Sequence, residues 1–260
     1  MYEIMKKFEF TGETKTINLL FGTATLHRIR AVAKFGFVEI GELGGWIEKE
    51  ENLSHEENAW VYGDAKVYGN AKVYGNAEVR DKAEVCGNAK VYGNAKVGEN
   101  AKVQDKAEVC GNAKVYGNAK VGEDAEVYDN AEVCGNAKVW DDAKVYVNAK
   151  VYSNAEVYSN AKVYGNAKVY GNAEVCGKAE VCGKAEVFST RHVLVIGTIG
   201  SQDDFATFYR DKDNEITVKC GYFLDKIDKF LEKVTETHGD SNYALVCRAA
   251  VEAARLQIDL

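Results

Sequence analysis

The sequence predicts an all-β solenoid with three six-residue units per turn, followed by a small C-terminal α+β domain. Three observations carry this. From Val61 to Val187 every sixth residue is valine, and each is preceded two positions earlier by alanine, from Ala59 to Ala185, with no insertion. Each unit, such as Ala71-Lys72-Val73-Tyr74-Gly75-Asn76, joins a four-residue strand pattern to a two-residue polar corner. After Phe188 the period stops, and β-branched runs give way to helical spacing. A fixed short period dictates architecture before any other feature is weighed.

Within a unit, strand alternation puts alanine and valine on one face and lysine or glutamate and tyrosine on the other. Strands this short, joined by two-residue corners, do not make hairpins. The chain coils instead, stacking valine on valine and alanine on alanine in successive turns. The interior is then valine and alanine alone, too narrow for a ligand. Asparagine or aspartate at the second corner position, as at Asn70, Asn76, Asn88 and Asn94, is expected to take left-handed backbone angles. Lys82, Lys106, Lys178 and Lys184 break that pattern, which predicts strained or differently shaped corners there.

The expected organisation is an N-terminal β cap over 1–58, the solenoid over 59–188 and the α+β domain over 189–260. Caps are needed because open strand edges at solenoid ends polymerise. In the first segment, 15–20 and 29–33 read as strands, and Ile47 and Leu53 keep the six-residue spacing before a two-residue slip to Val61. Trp46 is expected as a structural cap, an apolar plug over the first turn. In the last segment, 192–199, 205–209 and 216–223 read as strands, with a turn at Asp211-Lys212-Asp213-Asn214. Leu224, Ile227, Phe230, Leu231 and Val234 predict a helix stopped by Gly239. Asp240 or Ser241 caps a second helix running through Ala244, Val251 and Leu256.

Net charge is −7, but the solenoid segment holds 17 basic and 18 acidic side chains and is nearly neutral. It has no basic stripe to neutralise a phosphate backbone, so nucleic acid is not an expected partner. Nor is a membrane, since no stretch approaches a spanning length. Five of the seven cysteines (Cys86, Cys110, Cys134, Cys176 and Cys182) occupy the slot after valine, and no two of them are three units apart, the separation that stacks one on the next. Stacked disulfides are therefore impossible. Free thiols, and charges throughout the opening segment from Met1 to Leu20, predict a cytoplasmic protein.

Valine with alanine four residues on and asparagine between them resembles the hexapeptide-repeat signature of left-handed parallel β-helices. That resemblance implies the left-handed sense and triangular section. Gly44-Gly45-Trp46-Ile47, with Arg28 to Val32 and Asn58-Ala59-Trp60-Val61 around it, is similar to the YdcK-like hexapeptide-repeat proteins of bacteria and phages over about residues 17 to 188. Two further readings come with the resemblance. One is acyl transfer from coenzyme A with a histidine base; the other is a phage-type binding protein holding a host factor or small signal molecule where the solenoid meets the last domain.

The residues themselves argue against catalysis. The 22 units contain no histidine and no loop to form a cleft; His27, His55, His192 and His238 lie in the flanks, and His55, in the two-residue slip, is the strongest candidate base. No catalytic residue, metal site or cofactor is expected: Cys176 and Cys182 are one unit apart and so on different faces. Gly197-Thr198-Ile199-Gly200-Ser201 reads as a turn and not a phosphate cradle, since the usual lysine is missing.

The outward slot after valine is tyrosine eleven times, and one face carries Tyr74, Tyr92, Cys110, Tyr128, Tyr146, Tyr164 and Cys182, each three units after the last. Such a strip stabilises a sheet by stacking, and large apolar strips also mark interfaces. Tyr74, Tyr92, Tyr128, Tyr146 and Tyr164 are therefore the candidate interface for a homo-oligomer (dimer or trimer) or a protein partner. The functional expectation is a non-enzymatic scaffold, with the C-terminal domain as a second contact module.

Overall fold

The computed structural model describes residues 5–260, a parallel β-solenoid with a C-terminal antiparallel sheet and two helices. It divides into two compact units, Met1–Asn136 and Ala137–Leu260.

The first unit opens with an antiparallel hairpin of β1 (Phe8–Asn18) and β2 (Thr23–Ala31), and β2 pairs antiparallel with β3 (Leu43–Ile47). The repeat follows as two-residue strands, each ending in its hexad's valine, from β4 (Trp60–Val61) to β16 (Glu132–Val133). Successive strands in a ladder are parallel and three hexads apart, as in Lys72↔Lys90 and Val73↔Val91, so three hexads make one coil. Ile47 pairs with Val67 and Leu53 bridges Val73, so both take valine places in a coil before Val61. That coil is longer than the regular ones by the slip predicted between Leu53 and Val61. Gly44 and Gly45 are glycine for lack of room: a Cβ on Gly44 would lie 2.5 Å from Ile29 Cγ1 and 2.7 Å from Trp60 Cζ2, and one on Gly45 2.6 Å from the Ala65 oxygen.

Every alanine and valine of the repeat is buried, the corner residue Val147 apart. Burying a valine side chain contributes about 1.5–3 kcal/mol by transfer, and successive coils are bonded through the N–H groups of the outer residues, as from Glu108 to Ala125 and Cys110 to Val127.

The corners differ from expectation. The left-handed residue is the first of the two: Gly75, Gly93 and Gly117 have φ of +70°, +68° and +75°, whereas Asn76 and Asn94 are not left-handed. Asparagine serves another purpose. Asn58, Asn76, Asn94, Asn112 and Asn130 form a side-chain ladder, each Nδ2 donating to the next Oδ1 over 2.8–3.1 Å. Lysine at this second position interrupts the ladder without reshaping the corner, because its backbone angles suit any side chain. Lys82 and Lys106 donate their N–H to Glu99 and Glu123 oxygens at 2.9 Å, like the asparagines, and Lys106 pairs with Asp124 instead of an amide.

The second unit continues the pattern from β17 (Lys138–Val139) to β25 (Glu186–Val187) and then changes to β26 (Val193–Ile199), β27 (Asp204–Arg210), β28 (Ile216–Cys220) and β29 (Phe223–Lys226), an antiparallel sheet in that order. The segment expected as one strand over 216–223 is broken by Gly221, at φ +52°, and Leu224 belongs to β29. The first helix therefore starts later, as α1 (Ile227–His238). Gly239 ends it, and the Ser241 hydroxyl accepts the Ala244 N–H at the start of α2 (Asn242–Gln257).

Alternation along β27 decides how this domain docks. Ala206 and Phe208 join the core under the helices with Val218, Phe230 and Val251. Thr207 and Tyr209 face the last coils: Thr207 Oγ1 accepts the Glu180 N–H at 2.9 Å, and the Tyr209 hydroxyl donates to the Cys182 oxygen at 3.1 Å. Ala185 bridges Asp211, and Lys212 N–H donates to the Lys184 oxygen at 3.0 Å. These bonds occupy backbone groups of the final coil that an open solenoid would expose.

Val147 stands in the glycine place of its corner with φ +64°. A left-handed L-residue costs about 1–2 kcal/mol, more when β-branched. Val147→Gly is expected to raise stability by about 1 kcal/mol despite the added unfolded-state entropy. Urea denaturation checks this, and an unchanged or lower midpoint would count against corner strain.

Candidate functional site

Stacking organises the outer slot after valine. Tyr74 lies over Tyr92 with ring centroids 4.8 Å apart and planes 3° apart. Tyr146 and Tyr164 stack at 4.9 Å, as do Tyr152 and Tyr170, which continues to Phe188. All five candidate tyrosines, Tyr128 included, are half-buried. They are ribs lying against their own solenoid, with edges exposed, and not free-standing rings.

The hydroxyls of Tyr92 and Tyr164, and of Tyr68 and Tyr158 on another face, are engaged. Tyr92, Tyr158 and Tyr164 donate to Glu108, Glu174 and Glu180 over 3.0–3.2 Å, and Tyr68 lies 3.3 Å from Glu84. Each acceptor lies in the outer slot of the next coil. The sequence carries a signal for this contact: all five repeat cysteines sit in a Glu-Val-Cys hexad with tyrosine in the same slot one coil earlier. A small thiol below leaves room for a tyrosine hydroxyl to reach the glutamate. Burial first, then neighbouring carboxylates, push the Cys86 and Cys110 thiols up, against the bonds from Tyr68 and Tyr92. All seven cysteines are unpaired thiols, and the raised thiols of Cys86 and Cys110 are poor nucleophiles.

Glu84, Glu108 and Glu180 are held ionised by lysines. Lys66 pairs with Glu84 at 2.7 Å, Lys90 with Glu108 at 2.6 Å and Lys162 with Glu180 at 2.9 Å. For Glu108 the Lys90 hydrogen bond is the main cause of a pKa below the ordinary range; for Glu84 and Glu180 burial opposes the lysines, which prevail.

Trp46 pairs with Lys66, in the outer row, while Ile47 takes the inward valine place. It packs with Ala24, Leu26 and Tyr68 beneath the first hairpin, with Arg28 and Lys15 over its ring at 5.5 and 5.7 Å. Trp60 and Phe8 are fully buried in this region, and Trp60 lies edge-on to Phe8 and Phe35.

His55 is built into the cap. Its Nδ1 accepts the Lys7 N–H at 3.2 Å, its Nε2 lies 3.3 Å from Glu50, and Phe8 stacks on it at 4.2 Å. Burial holds its pKa below the ordinary value despite Glu50. With both ring nitrogens engaged, it is a packing and bridging group. Among the described residues no group of three or more histidine, cysteine or acidic side chains could hold a metal, and no helix is long and apolar enough to cross a membrane.

No protein-family model matches the chain, and no curated protein matches it.

Proposed function

We propose that the chain is a non-enzymatic scaffold of the YdcK-like, left-handed hexapeptide-repeat kind that pairs with a second copy of itself through a tyrosine-bearing face. The order of charges beside the tyrosines carries this reading. In the first unit the outer row reads Lys72, Lys90, Glu108, Glu126 in register. Turned antiparallel about a two-fold axis, that row is self-complementary: Lys72 meets Glu126 and Lys90 meets Glu108 of the second copy. The flanking row then sets Tyr74 against Tyr128 and Tyr92 against Cys110. Isologous pairing of this kind is the commonest closed assembly, and opposed charges set its register. The stacked rings are already immobilised by their own coil, so docking orders few side chains.

Sedimentation velocity across a concentration series tests it. The wild type is expected to dimerise, Tyr128→Glu to weaken the dimer about tenfold or more, and Lys90→Glu to weaken it, with Lys90→Glu/Glu108→Lys restoring it. A wild-type monomer at the highest concentration, a trimer, or a dimer indifferent to Tyr128→Glu would overturn the two-fold pairing.

A further inference from the structure

A cleft of about 330 Å³ opens within the second unit, where the last coils meet the C-terminal sheet, lined by Lys162, Lys178, Glu180, Asp204, Phe205 and Lys219 among others. Its charges are unbalanced. Lys162 and Lys219 share one carboxylate, lying 2.9 and 3.3 Å from the two oxygens of Glu180. Among the described residues Lys178 meets no carboxylate; its ammonium lies over the Phe205 ring, 4.6 Å from the centroid. Phe205 itself is seated firmly, since a Cβ on Gly197 would fall 2.2 Å from its ring.

The repeat departs from its own rule here. Asn160 occupies the same corner place as Lys178 one coil earlier and also lines the cleft, so lysine replaces the ladder asparagine at the coil that faces Phe205. Lys106 gains Asp124 where it interrupts the ladder, whereas Lys178 gains an aromatic ring and no carboxylate, so its charge is not neutralised beside the cleft. Three ammonium groups against Glu180 and Asp204 leave the cleft net positive, beside an apolar wall, at the lower end of small-molecule site volumes.

We propose that this cleft binds a small organic anion, a phosphate monoester or carboxylate whose head group is taken by Lys178 with Lys162 and Lys219 while its body lies against Phe205. The site is independent of self-association through the tyrosine face. Isothermal titration of the full chain with adenosine monophosphate, salicylate and inorganic phosphate tests it. Saturable binding of at least one organic anion is expected at about millimolar affinity or tighter, with inorganic phosphate weaker. Lys178→Met is expected to weaken it about tenfold or more while leaving the melting temperature unchanged, and Lys178→Arg to retain it. No saturation by either organic anion below about 10 mM, equal binding by inorganic phosphate, or an unchanged affinity in Lys178→Met would overturn the proposal.

Discussion

Val109→Asp is expected to destabilise the protein by about 4 kcal/mol or more, enough to unfold a chain of ordinary stability. Val109 is 0 % exposed and pairs in register with Val91 and Val127. A carboxylate there has only methyl groups around it and no donor left over, because the backbone bonds between coils are already made. Burying an unpaired charge in such a place costs several kcal/mol, or forces the group to take up a proton. Lys120→Gln, exposed in a row away from the proposed pairing face, should change stability by no more than about 0.5 kcal/mol. Urea denaturation of the two variants makes the comparison. Near-equal midpoints would mean that the interior admits water.

Lys7→Met should cost about 2–3 kcal/mol near neutral pH, through acceptors left without a donor. Lys7 is 4 % exposed, and its Nζ donates to the Ala59, Glu56 and Glu57 oxygens at 2.8, 3.3 and 3.5 Å, tying the first hairpin to the two-residue slip. Burial lowers its pKa from 10.5 to about 8, against the attraction of Glu57. Between those values the unfolded chain binds the proton and the folded chain does not, so wild-type stability rises with pH across that window. The difference between wild type and Lys7→Met should therefore widen by about 2 kcal/mol from pH 7.5 to 9.5. Denaturation at both values checks it, and a constant or shrinking difference would contradict an ammonium destabilised by burial.

Most of the fold was legible because the repeat is a one-dimensional code. Period six, with Val61 to Val187 in phase, specifies inward and outward faces, and coil-on-coil contact needs no long-range information. The corner departs from expectation for a specific reason: glycine and asparagine both tolerate left-handed angles, and only the backbone shows that Gly75 takes them and Asn76 does not. Likewise 216–223 is apolar enough for a single strand, and the reversal at Gly221 appears only once β28 and β29 are paired.

The candidate site was legible in part. Which tyrosines share a face follows from spacing alone, but that their hydroxyls reach the glutamates of the next coil depends on ring orientation. The lining of the cleft was not legible, since Lys178 and Phe205 are far apart in the chain and meet only through docking of β27.

The sequence by itself determined the solenoid, its dry valine and alanine interior and its outer rows, because each coil reads only the coils directly before and after it. Tertiary structure alone decided how the ends are closed. Lys7 and His55 in the first cap, and Thr207 and Tyr209 over the final coil, bond to backbone and side chains 27 to 52 positions distant. Such contacts obey no period, so no local pattern announces them.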